Sequence, residues 1–96
     1  MREKNRPLAE ELQKSLEQYL SWLEQEEKSR LTVEKYGRDI RHFLAFAGKK
    51  EVTKELLLQY KDSLLRQNYA VASINSMVVA LNRYFEYLGR GELRIK

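Results

Sequence analysis

Arginines, amides and small hydroxyls share one side of the segment 72–90. Ser76, Val79, Arg83 and Arg90 fall there at helical spacing, with Asn75, Asn82 and Tyr87 beside them and a single carboxylate, Glu86. A solvated helix back is ordinarily richer in Glu–Lys pairs. This one reads as a surface that touches something anionic. A second back of the same kind runs through 33–47, where Lys35, Arg38 and His42 stand together, flanked by Arg41. Other chemistries lack their parts. There is no Gly-rich phosphate loop, no cysteine and no His–Glu metal signature, and His42 is the only histidine. No catalytic residue, metal ligand set or cofactor is therefore expected, and the segment by itself is read as not an enzyme.

Four apolar stripes must position these backs. They predict helices near residues 8–27, 33–47, 54–67 and 73–88, an all-α fold. The first stripe is Leu8, Leu12, Leu16, Tyr19, Leu20 and Leu23, with Trp22 at its edge and Glu10, Glu11, Lys14, Glu17 and Glu24 outside. That pattern is structural. The second is Val33, Tyr36, Ile40, Phe43, Leu44 and Ala47, with Thr32 as the expected N-cap and Gly48 as the stop. Gly37 inside it costs about 1 kcal/mol relative to Ala, which points to close packing. The third is Leu56, Leu57, Tyr60 and Leu64 after a Thr53 cap. Leu58 and Leu65 add a second line, either a broad core face, the reading favoured, or an edge that meets a partner. The fourth is Ile74, Met77, Val78, Leu81, Phe85 and Leu88, with Ser73 as the expected cap and Gly89 as the stop.

Charge is uneven along the chain. Residues 1–27 hold four basic and seven acidic side chains, for −3, while residues 28–96 hold fourteen and seven, for +7. A nucleic-acid surface therefore belongs on the later helices, unless the lysines merely solvate them. No apolar run approaches the roughly 20 residues that span a bilayer, and no N-terminal signal is visible. No membrane partner and a cytoplasmic location are expected. The ends are read as a flexible N-terminus at 1–7 and a basic, flexible linker at 90–96, around a domain at 8–89.

Four sets of residues together resemble the N-terminal core-binding, SAM-like domain of tyrosine recombinases and phage integrases. They are Tyr19-Leu20-Ser21-Trp22-Leu23; Ser29-Arg30-Leu31-Thr32 followed by Tyr36, Asp39-Ile40 and Phe43; Val52-Thr53-Lys54-Glu55 with Leu57 and Tyr60; and Ala72-Ser73-Ile74-Asn75 with Ala80 to Leu88. The resemblance covers roughly residues 10–90. It implies a four-helix SAM-like bundle that, with a C-terminal catalytic domain of the same polypeptide, clamps double-stranded DNA from opposite sides, alongside other recombinase protomers. The catalytic residues of the family lie in that second domain, to which 90–96 would lead. Position by position, the resemblance implies DNA contact at Arg30, Thr32, Lys35 and Arg38, with Arg41 on the same basic back, and at Ser73, Asn75, Ser76 and Arg83. The alternative is a helical protein-interaction module docking through Leu58, Leu65 and Tyr87.

Overall fold

Each apolar stripe becomes one helix. The computed structural model describes residues 8–95, so the expectations for residues 1–7 and for Lys96 lie outside the described residues. Helix α1 spans Leu8–Gln25, α2 Arg30–Ala47, α3 Lys54–Arg66 and α4 Val71–Tyr87, followed by one 3-10 turn at Gly91–Leu93. No strand occurs among the described residues, and the fold is all-α. Among the described residues no helix is long and apolar enough to cross a membrane.

Three of the helices end by one device. Glu27, Asn68 and Gly89 adopt φ values of 63°, 68° and 74°. Just after each, an N–H reaches five residues back: Lys28 donates to the Leu23 carbonyl, Tyr69 to Leu64 and Arg90 to Phe85. This is the Schellman closure, in which a left-handed residue lets the chain turn back on orphan carbonyls. Asn and Gly enter that conformation at low cost, whereas Glu27 carries strain. Gly48, at φ 55°, ends α2 as expected.

The starts differ from expectation at two helices. The N-cap of α2 is Ser29, whose Oγ accepts from the Thr32 N–H at 3.1 Å, so the helix begins a turn earlier and Thr32 lies inside it. Likewise α4 begins at Val71 behind Ala70, which makes no side-chain cap, and Ser73 lies within the first turn. Thr53 caps α3 as expected, accepting from the Leu56 N–H at 3.1 Å.

The inward stripes meet in one core that includes the fully buried Tyr19, Phe43, Tyr60, Tyr84 and Phe85. The Tyr84 hydroxyl donates to the Leu12 carbonyl and ties α4 to the start of α1. Gly37 allows α1 close, since a Cβ there would come within 3.1 Å of Leu20 Cδ1 and of Arg41 Nη1.

Two readings are corrected. Leu58 and Leu65 are 54% and 49% exposed, so the core face of α3 is narrow. The segment after Gly89 packs instead of trailing away: Leu93 and Ile95 are buried. Asn82, read as part of the arginine-rich back, grips Ile95 through both backbone groups at 2.7 Å.

Candidate nucleic-acid interface

Helices α2 and α4 run antiparallel along a common seam. Thr32 and Tyr36 border one cavity with Arg83, Glu86 and Tyr87. Further along α2, Lys35 reaches the Ser76 carbonyl at 3.4 Å. Beyond that, Arg38 and His42 border a second cavity with Ser73 and Met77. Residue numbers thus rise along α2 as they fall along α4.

The second cavity, about 290 Å³, is the polar end of the seam. Asp39 is only 5% exposed, so its carboxylate needs a partner. Lys35, four residues back on the same helix, supplies one and also bonds the Ser76 carbonyl on α4. Lys35 is therefore partly spent as a strut. Arg38 is exposed and has no ion-pair partner among the described residues. His42, on the same basic back, is half-buried. Its Nδ1 lies 2.8 Å from the Tyr60 hydroxyl and its Nε2 3.5 Å from that of Tyr69. Burial first, and then the Asp39 charge, push the Tyr60 phenol well above its usual range, so it stays neutral.

The first cavity, about 540 Å³, is the aromatic end, where the last turns of α1 join the seam. Tyr19, Trp22, Tyr36 and Tyr87 line it, with Arg83 among them. The Tyr87 ring centroid lies 4.8 Å from Tyr19 and 5.0 Å from Trp22. Burial pushes the Tyr19 phenol up to about 12, with the neighbouring Tyr36 raising it further and Arg83 opposing. Arg83 is exposed and has no ion-pair partner among the described residues.

The residues expected to touch an anion are therefore sorted by the fold. Lys35, Arg38, Ser73 and Ser76 come together at the polar end. Thr32 and Arg83 come together at the aromatic end. Arg30, Asn75 and Arg41 line neither cavity. Arg30 lies 3.7 Å from Glu34 on its own helix, Asn75 is exposed, and Arg41 donates to Glu17 of α1 at 2.9 Å. Sequence reasoning missed Asp39 and Tyr69 as members of the polar end, whereas it grouped His42 with Lys35 and Arg38. The i, i+4 spacing of Lys35 and Asp39 was the one available signal. Among the described residues no cluster of three or more His, Asp or Glu could hold a metal ion.

Over residues 16–92 the chain matches the model of the phage integrase N-terminal SAM-like domain. It is also similar to the tyrosine recombinase XerA of Thermococcus onnurineus (strain NA1). The two are 31% identical over 83 residues, which is 86% of this chain and 29% of that relative. The chain thus spans under a third of the curated relative's length. No solved structure matches it.

Proposed function

This chain belongs to the phage integrase N-terminal SAM-like domain family, and from that premise we propose that its α2–α4 seam binds duplex DNA as one arm of a tyrosine recombinase. The other arm is a catalytic domain of the same polypeptide, and further recombinase protomers join on the DNA. The role is recombination of DNA at specific sites. One observation carries the reading: Arg38 and Arg83, both unpaired among the described residues, stand near opposite ends of one seam, with Ser73 and Ser76 between them on α4. The uncapped first turn of α4 adds backbone N–H groups beside Arg38 and Ser73, and such groups favour phosphate. Affinity would come mostly from phosphates, with base reading from exposed Asn75, since an amide can pair bidentately with adenine.

The test is a titration of a long duplex at several salt concentrations. A cation on one phosphate releases about one counterion, so Arg38→Ala and Arg83→Ala should each weaken binding and flatten the log–log slope by roughly 0.9. Lys14→Ala, on the outer face of α1, should do neither. Equal, small effects across the set would defeat the assigned face. A second reading, a protein-interaction module, is favoured only by the exposed Leu58 and Leu65. It requires self-association or partner capture that Leu58→Glu removes.

A further inference from the structure

The aromatic end holds more ring surface than phosphate binding needs. Trp22, 39% exposed, Tyr36 and Tyr87 line a cavity of about 540 Å³, within the range of roughly 300–1,000 Å³ typical of small-ligand sites. Tyr19, in its wall, is 1% exposed, yet its hydroxyl makes no hydrogen bond among the described residues. A buried phenol is ordinarily paired, so this one is a donor without an acceptor. Its ionisation is pushed up to about 12, chiefly by burial, which keeps the proton in place at neutral pH. The charges at the mouth select the ligand's sign. Glu86 is engaged by Arg94 at 3.0 Å, which leaves Arg83 and Lys28 against Glu26 alone. An aromatic cage for a cation would have the opposite balance and no guanidinium inside it.

We infer that this cavity is a nucleobase pocket, taking one unstacked base on the open face of Trp22, beside Tyr36 and Tyr87, with the adjoining phosphate on Arg83. The base covers the face of Trp22 left open by its neighbours and brings an acceptor for the Tyr19 hydroxyl, and the phosphate neutralises the arginine. The source of that base rests on the reading of the seam as a DNA surface. The binding chemistry itself can be measured apart from it.

Trp22 is the only tryptophan in the chain, so its fluorescence reports on this cavity and on nothing else. Five probes suffice: a fully paired duplex, the same duplex with one bulged adenine, a short single strand, its abasic counterpart, and an arginine-rich peptide. The bulged duplex should bind at least roughly fivefold tighter than the paired one, the lower bound for stacking one base on an aromatic side chain. It should also quench Trp22, as should the single strand but not the abasic strand. Trp22→Ala, on α1 and outside the α2–α4 pair, should remove the preference for the bulge while binding of the paired duplex holds, and Tyr87→Leu should likewise remove the preference. Thermal unfolding of both variants establishes that they fold, and Trp22→Ala, at a half-open position, serves where Tyr87→Leu does not.

Salt-dependent binding of the paired duplex with no gain from the bulge and no quenching overturns the pocket and leaves the seam reading standing. Quenching by the single strand without any duplex binding overturns the seam reading and upholds the pocket. Equal quenching by the abasic strand, or stronger quenching by an arginine-rich peptide, overturns the pocket, the latter because it would mark a protein ligand.

Discussion

The two ends of the α2–α4 seam are built from the same pair of helices and differ in what joins them. At the polar end Tyr60 of α3 and Tyr69 supply hydroxyls, and the buried polar groups are mutually satisfied: Lys35 with Asp39, His42 with Tyr60. At the aromatic end α1 supplies Tyr19 and Trp22, and Tyr19 is left with a hydroxyl that has no acceptor. The contrast teaches that helix backs alone do not define a surface. The neighbour that covers part of the back decides which groups are spent on the fold and which remain for a ligand.

Alkaline titration should show the largest effect. Tyr19 at the aromatic end, Tyr60 at the polar end and Tyr84 in the core all have raised phenols, because burial disfavours the phenolate. The folded chain then holds protons that the unfolded chain releases. Stability is full below about pH 10, the ordinary tyrosine value, and falls as pH rises toward 12 and beyond. Denaturant midpoints measured from pH 8 upward should decline from that point. The two ends should separate on substitution. Tyr19→Phe gives up no hydrogen bond and should be near neutral at pH 7, while Tyr60→Phe loses its bond with His42 and should cost about 1 kcal/mol. Equal costs would erase the contrast between the ends.

Next in size is the strut. Lys35→Ala strands the Asp39 carboxylate in a nearly buried site, and should destabilise by about 1–3 kcal/mol, below the cost of a fully buried pair because Lys35 is part-exposed. The paired change Lys35→Met/Asp39→Leu should recover most of that loss. In duplex binding, Lys35→Ala should move the salt slope less than Arg38→Ala does. Urea unfolding that leaves Lys35→Ala as stable as the parent would show that the lysine is free for a phosphate after all.

Much of this was legible in the residues, and the gaps have physical causes. The stripes placed all four helices, because burial of one face imposes a 3.6-residue period whatever the partner. Gly48 and Gly89 were legible stops because the left-handed turn favours glycine, and Glu27 was not, since nothing in its type announces that conformation. Ser29 and Thr32 stand three residues apart, and either could cap α2 by type alone. Ala70 could not be found at all, because a cap without a side-chain bond leaves no residue signature. The spending of Lys35 and His42 on Asp39 and Tyr60 depends on which side chains fold over the back of α2, which periodicity does not carry. Leu93 and Ile95 dock through too short a segment for any period to register.

The smallest effects compare one engineered change at each end. At the aromatic end, Glu27 closes α1 at φ 63° without glycine, so Glu27→Gly relieves left-handed strain against a gain in unfolded-chain entropy. A rise of a few tenths up to about 1 kcal/mol is expected, with no loss of duplex affinity. At the polar end, Ala70 already has the extended backbone of an N-cap, with φ −61° and ψ 145°, but no capping oxygen. Ala70→Asp supplies one, and its carboxylate can accept from the Ser73 N–H as Thr53 does from Leu56. The gain should be about 0.5–2 kcal/mol in unfolding free energy. The same carboxylate occupies the N–H groups that would otherwise meet a phosphate and puts a negative charge beside Arg38. Duplex affinity should therefore fall several-fold although the fold is firmer, and Ala70→Ser, which caps without charge, should fall between. A chain that gains stability from Ala70→Asp and binds duplex as before would remove the first turn of α4 from the DNA-facing surface.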